Sequence, residues 1–92
     1  MKFSEAIELC MQGKRITRAD WNGKGMYVYY TKGKTIDVSA WTGSDDLSDS
    51  ECLRGYIVIK GHFDMYNAQG ERVIGWLASQ TDMASDEWMV VE

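Results

Sequence analysis

Apolar residues at the start of the chain repeat with the period of an α-helix. Ser4 is a candidate N-cap and Gly13 a natural C-terminal stop, so the pattern predicts an amphipathic helix over residues 3–12. Five apolar residues share the i, i+3, i+4, i+7, i+8 spacing that places them on one helix face: Phe3, Ala6, Ile7, Cys10 and Met11.

After Gly13 the apolar period changes from that of a helix to two, which is typical of β-strands. Segments rich in β-branched and aromatic residues alternate with turns that contain glycine or asparagine. Capping residues at both ends of 79–86 predict one short helical turn. The predicted strands lie near 14–18, 26–31, 56–60, 62–66, 71–75 and 88–91.

The segment 36–55 has no clear period and is interpreted as a variable insert. Thr35–Val38 could be a strand, and the acid-rich stretch 43–51 is expected to be an exposed polar loop. The order of elements predicts an α+β fold: a small antiparallel β-sheet, the N-terminal helix packed on one face, and a short helical turn near the C-terminus. We expect residues 1–92 to form a single domain.

Composition adds an unusual aromatic load to this small fold. The chain has 92 residues with four Trp, five Tyr and no Pro. No apolar run approaches the roughly 18–20 residues of a membrane span, and the N-terminus lacks a signal-like apolar segment. We therefore expect a cytoplasmic protein without a membrane partner, with Cys10 and Cys52 reduced and unpaired.

Charge is distributed unevenly along the chain. The net charge is −4, but residues 1–35 carry seven bases against three acids, whereas residues 36–92 carry three bases against eleven acids. An acidic chain is poorly suited to long nucleic acid, where several phosphates must be neutralised together. The basic residues of the first part either form a local pocket for one small anion or merely solvate strands and a turn.

The sequence contains little that predicts catalysis. His62 is the one histidine, and no His/Cys spacing suits zinc or another metal. We therefore expect no enzyme activity, no metal and no cofactor.

Two segments carry more polar and aromatic groups than turns require. The first is 21–26, where Trp21 precedes an amide, two glycines and Lys24; the second is 75–83, where polar residues follow Trp76. An aromatic face can stack a base, hydroxyls and amides can contact ribose, and backbone N–H groups or lysine can hold phosphates. In the alternative interpretation, both Trp side chains belong to the core and both polar runs are turns and helix caps.

The same segments carry a resemblance to a known family. The runs Trp21-Asn22-Gly23-Lys24-Gly25 and Ala78-Ser79-Gln80-Thr81-Asp82-Met83, together with Phe3-x2-Ala6 and Asp64-Met65-x4-Gly70, resemble the small phage and prophage Thoeris anti-defence proteins of the second type. The match spans residues 3–31 and 62–91. The motifs are also similar to those of an anti-CRISPR protein directed at a type II-A system.

The resemblance implies a non-enzymatic sponge. Such a protein forms homo-oligomers and sequesters a small anionic cyclic nucleotide, the cyclic ADP-ribose isomer of the Thoeris system and in some relatives cyclic dinucleotides, in the cytoplasm of the bacterial host. A dimer or tetramer with the ligand between subunits suits a chain too short to enclose a deep pocket. The alternative function is an anti-CRISPR-like inhibitor that binds an effector protein directly.

The resemblance and the residue chemistry together define a candidate ligand site. We expect Trp21 and Trp76 to form stacking walls, Ser79 to Asp82 to contact ribose and base edges, and Lys24 or Arg18 to balance a pyrophosphate. The candidate ligand-binding residues are Arg18, Trp21, Asn22, Gly23, Lys24, Trp76, Ser79, Gln80, Thr81 and Asp82.

Overall fold

The structure is a computed structural model, and it describes residues 1–41 and 46–92. It contains helix α1 (Phe3–Met11), strand β1 (Arg15–Arg18), strand β2 (Tyr27–Thr31), strand β3 (Lys34–Asp37), a 3-10 turn (Val38–Ala40), helix α2 (Asp49–Arg54), strand β4 (Tyr56–Ile59), strand β5 (His62–Tyr66), strand β6 (Arg72–Val73), helix α3 (Gln80–Ala84) and strand β7 (Trp88–Val91). The predicted α+β class is confirmed.

The chain forms two compact units, and the second is inserted in the sequence of the first. One unit comprises Met1–Thr31 and His62–Glu92, and the other comprises Lys32–Gly61. The predicted variable insert 36–55 falls within the second unit. That residues 1–92 act as a single domain stays a prediction.

The first unit is an antiparallel five-stranded sheet with the strand order β6-β5-β2-β1-β7. Helix α1 packs against this sheet, as the apolar stripe predicts. The buried core consists of Ala6 and Cys10 from the helix and Ile16, Val28 and Trp88 from three strands. Because β7 pairs with β1, the last strand of the chain lies at an edge of the sheet.

Helix α1 begins earlier than its predicted N-cap and ends at its predicted glycine stop. The helix begins at Phe3, so Lys2 rather than Ser4 is the N-cap, and the Glu5 carboxylate accepts a hydrogen bond from the Lys2 N–H at 3.2 Å. At the other end, Gly13 has a φ of +104°. The Gly13 and Lys14 N–H groups donate to Cys10 and Leu9 carbonyls, which is the Schellman motif that glycine favours.

The second unit differs from the prediction. Strand β4, expected to join the main sheet as 56–60, instead pairs with β3 in a separate two-stranded sheet. Residues 49–51, predicted as part of a loop, form the first turn of α2, because Ser48 and Glu51 make a reciprocal capping box. Residues 43–45 of that predicted loop lie outside the described residues.

Strand β6 is shorter than the predicted 71–75. Only Arg72 and Val73 pair with β5, because the chain then leaves the ladder at Gly75, whose φ is +89°. The Gly75 N–H donates to the buried Asp64 carboxylate at 2.7 Å instead of to a strand.

Candidate functional site

Asp82 is the centre of a hydrogen-bond network in the first unit. One carboxylate oxygen accepts from Arg18 Nη1 at 2.8 Å and from Trp21 Nε1 at 3.4 Å, and the other accepts from the Ser79 N–H at 2.9 Å. The Asp82 carbonyl accepts from Trp88 Nε1 at 2.8 Å. Three predicted ligand-binding residues, Arg18, Trp21 and Ser79, therefore converge on a fourth.

Burial and hydrogen bonding shift the pKa of the Asp82 carboxyl group in opposite directions. Burial raises the pKa of Asp82, but the Ser79 N–H, Arg18 and the other donors outweigh it and hold the pKa below its ordinary value. Asp82 is therefore charged at neutral pH, although the residue is only 8% exposed.

Arg18 bridges two carboxylates. Its Nε and Nη2 atoms bind Asp20 at 3.1 and 2.7 Å in a bidentate pair, while Nη1 binds Asp82. The hydrogen bond to Asp20 and then the one to Asp82 raise the pKa of Arg18, and the same pair with Arg18 lowers the pKa of Asp20. The side chain of Arg18 is 14% exposed and that of Asp20 48%.

Beside this network lies a cleft of about 560 Å³, within the size range of small-molecule sites. Its lining comes from the end of β1, the loop between β1 and β2, and the edge strand β7. The lining residues are Thr17, Arg18, Ala19, Trp21, Gly23, Lys24, Gly25, Met26, Met89, Val90, Val91 and Glu92. Four of the predicted site residues are in this set: Arg18, Trp21, Gly23 and Lys24.

The loop that borders the cleft depends on its glycines. A Cβ on Gly23 would collide with Met26 Sδ and lie 2.8 Å from Ala68 Cβ, and Gly25 has a φ of +76°. A side chain at either position would strain or displace the loop. The loop thereby places the exposed Lys24 at the cleft, where no carboxylate of the described residues pairs with its ammonium group.

Trp21 and Trp76 do not face each other across the cleft. Both pack edge-on against the buried Trp88, at ring-centroid distances of 5.4 and 6.1 Å. Trp76 also contacts Phe3 of α1 and is not among the cleft-lining residues, whereas Trp21 is. The structure thus places Trp76 in the aromatic core and gives Trp21 both a core contact and a cleft contact.

The segment 79–82 is the capped start of α3. The Ser79 hydroxyl accepts from the Asp82 N–H at 3.1 Å and the Asp82 carboxylate accepts from the Ser79 N–H, a reciprocal capping box. Gln80 and Thr81 are exposed, and so is Asn22 in the loop before β2. None of these five residues lines the cleft, so any contact that they make with a ligand lies outside it.

Sequence reasoning missed the contribution of β7. Met89, Val90 and Val91 line the cleft because β7 pairs with β1 in the register Thr17↔Met89. No local motif marks these residues, since their position depends on a long-range strand pairing. Because successive residues of a strand point to opposite faces, Met89 shares the face of Thr17 and Val90 shares the face of the buried Ile16.

Within residues 1–41 and 46–92, no group of three or more His, Cys, Asp or Glu side chains is arranged to hold a metal ion. No helix in the same residues is long and apolar enough to cross a membrane.

The five-stranded sheet, α1, the capped α3 and the cluster of Trp21, Trp76 and Trp88 all come from the segments that carried the family resemblance, and so does the cleft except for Glu92. Residues 1–91 match the family model described as Tad2-like, the Thoeris anti-defense 2-like domain. The chain belongs to this family. It is similar to the protein named "Thoeris anti-defense 2" from Bacillus phage SP01, with 26% identity over 91 residues, covering 99% of this chain and 94% of the relative.

Proposed function

We propose that this chain antagonises a Thoeris-type bacterial defence by binding a small anionic cyclic nucleotide and retaining it unchanged. The ligand is the cyclic ADP-ribose isomer of that system, with cyclic dinucleotides as a second ligand class. Membership of the anti-defence family and the name of the phage SP01 relative support the biological role. The observation that carries the ligand assignment is the cleft beside Trp21.

The cleft offers the chemistry that a nucleotide needs. Trp21 provides an aromatic surface for a base, and Lys24 provides a cation without a carboxylate partner among the described residues. Strand β7 adds apolar residues to the lining, and a ligand that covers them would exclude water and strengthen the polar contacts. Stacking contributes about 1–3 kcal/mol for each base, so loss of the Trp21 ring should be readily measurable.

A second copy of the chain completes the site in this proposal. The cleft lies next to β7, an edge strand, and a chain of 92 residues has little interior in which to enclose a dianion. A dimer or tetramer would cover the cleft and slow the release of the ligand. The assembly acts in the cytoplasm of the bacterial host, where the defence signal is made.

Retention requires no bond to be made or broken in the ligand. The protein therefore acts without catalysis, and one ligand is held at each site until the protein unfolds. This stoichiometric action distinguishes the proposal from an enzyme that degrades the signal.

Isothermal titration calorimetry of Trp21→Ala tests the proposal. The variant should lose at least tenfold in affinity for the cyclic ADP-ribose isomer, whereas Trp41→Ala, which removes a Trp of the second unit, should bind like the unsubstituted chain. Near-UV circular dichroism and urea unfolding confirm that both variants are folded. Equal affinity of all three proteins would refute the cleft as the site, and co-purification with an effector protein without nucleotide binding would favour the direct inhibitor instead.

A further inference from the structure

Arg18 lines the cleft, but both ends of its guanidinium already bind carboxylates. Asp20 binds the Nε–Nη2 edge in two hydrogen bonds, and Asp82 binds Nη1. A ligand phosphate can approach Arg18 only by sharing it with these carboxylates or by replacing one of them.

The two carboxylates differ in how firmly they are held. The Asp82 side chain is 12% exposed and also accepts from Ser79 and Trp21. The Asp20 side chain is 48% exposed. Exposed ion pairs are weak, because water and salt compete for both charges, whereas breaking a buried pair is costly.

Geometry makes the Asp20 carboxylate a close mimic of a phosphate. Two carboxylate oxygens lie 3.1 and 2.7 Å from Nε and Nη2, the same bidentate arrangement in which arginine binds two phosphate oxygens. Asp20 is two residues from Arg18, so it can move into solvent without a change in β1.

We propose that Asp20 is a resident stand-in for a ligand phosphate: it occupies the Nε–Nη2 edge of Arg18 in the free chain and yields that edge to the ligand, while Asp82 keeps Nη1 in place. This inference rests on the proposed binding of an anionic nucleotide in the cleft. It assigns Asp82 to positioning Arg18 and Trp21 rather than to ligand contact. It also gives the site a selectivity, because only a ligand that presents two oxygens to the edge replaces Asp20 without loss of a hydrogen bond.

The inference predicts opposite effects for the two partners of one arginine. Asp20→Asn removes the competing charge and should tighten binding of the cyclic ADP-ribose isomer about two- to fivefold, the range expected from an exposed ion pair. Asp82→Asn frees the guanidinium from its anchor and should weaken binding about tenfold. A general effect of burial or stability would not give opposite signs.

Calorimetry on the full chain, with a matched control, tests the inference. Asp86→Asn makes the same change of charge at an exposed carboxylate that neither pairs with Arg18 nor lines the cleft, and it should alter the affinity less than Asp20→Asn does. Arg18→Gln should weaken binding about tenfold, and Asp20→Asn should then give no further gain. Near-UV circular dichroism checks that Asp82→Asn is folded, and the Asp20 comparison stands on its own if it is not.

Inorganic pyrophosphate, titrated by NMR into the same proteins, separates this inference from the proposed function. If Asp20→Asn binds pyrophosphate more tightly, and the gain depends on Arg18, the Nε–Nη2 edge of Arg18 is an anion site. This result supports the inference even if no variant binds the cyclic nucleotide. Failure to bind the cyclic nucleotide would then refute only the proposed function. Binding of the cyclic nucleotide that is unchanged or weakened by Asp20→Asn would overturn the inference. So would an equal gain from Asp86→Asn, or a gain that persists without Arg18.

Discussion

At the scale of single residues, two buried carboxylates connect elements of the first unit through hydrogen bonds. Asp82 connects α3 to Arg18 and Trp21, and Asp64 connects β5 to Gly75 and to the Thr31 hydroxyl. No buried side-chain nitrogen or oxygen of the described residues lacks a hydrogen-bond partner. Such satisfied networks fix side-chain positions, because a missing partner in a site of low dielectric is costly.

The Asp82 network predicts a pH dependence of stability. Because the pKa of Asp82 is lowered in the folded chain, the unfolded chain takes up the proton more readily. Stability is therefore lost as the pH falls below about 4, the ordinary pKa of an Asp side chain in the unfolded chain. Asp82→Asn should cost about 2 kcal/mol at pH 7 and flatten this acid limb. Urea unfolding from pH 7 to pH 3 measures both effects. Asp86→Asn should retain the stability and the acid limb of the unsubstituted chain.

The two cysteines should differ in reactivity. Cys10 lies on the buried face of α1, and burial raises the pKa of its thiol to about 11, whereas Cys52 is exposed on α2. Iodoacetamide at pH 8 should therefore modify Cys52 alone in the folded protein and both cysteines in urea. Peptide mass spectrometry locates the adducts, and rapid alkylation of Cys10 without denaturant would contradict the packing of α1.

At the scale of elements, local signals explain most of the fold. The apolar stripe of α1 predicts its length to within a residue, and β5 and β7 have the predicted bounds. The capping box at Ser48 and Glu51 is equally visible in the sequence, but the many acids around it favoured a loop. The partner of β4 could not be predicted, because alternation specifies a strand and not the strand with which it pairs.

Helix α3 has only five residues, so its cap should carry much of its stability. Ser79→Ala removes the hydroxyl that accepts from the Asp82 N–H and should destabilise the chain by about 1 kcal/mol. Gln80→Ala, at an exposed position of the same helix, is the control and should be close to neutral. Thermal unfolding followed by circular dichroism measures both, and equal stability of the two variants would show that the cap contributes little.

At the scale of the whole molecule, the second unit is inserted in the sequence between two residues of the first unit that are partners in one strand ladder. Thr31 and His62 are partners in the β2–β5 register, immediately before and after Lys32–Gly61. Every cleft-lining residue and every member of the Asp82 network belongs to the first unit. The candidate site therefore contains no residue of the second unit.

The second unit, Lys32–Gly61, should be removable without loss of the fold of the first unit. Replacing residues 32–61 by Asn-Gly would join Thr31 to His62 through a two-residue hairpin, for which this dipeptide is favoured. The shortened chain should keep the near-UV circular dichroism of the cluster of Trp21, Trp76 and Trp88, because all three rings and their contacts remain. Loss of the near-UV signal would show that the first unit requires the second unit for its side-chain packing. The excised segment alone should be unfolded, since it is shorter than about 40 residues.

Only part of the candidate site could be predicted from the sequence, and the reason is physical. Residues of a loop such as 21–25 are adjacent in sequence, so Trp21, Gly23 and Lys24 could be proposed together, and all line the cleft. Trp76, Ser79 and Asp82 come from a second segment whose position depends on packing against Trp88. Sequence could not separate their role in packing and capping from a role in ligand contact.

Recovery of the ligand after capture tests the central claim most directly. The full chain is incubated with the cyclic ADP-ribose isomer and passed through an ultrafilter, the retained protein is denatured by heat, and both fractions are analysed by mass spectrometry. The account predicts that the isomer is missing from the filtrate and returns chemically intact after denaturation, and that Trp21→Ala leaves it in the filtrate. An altered product in either fraction, or the whole of the isomer in the filtrate of the unsubstituted chain, would contradict the account.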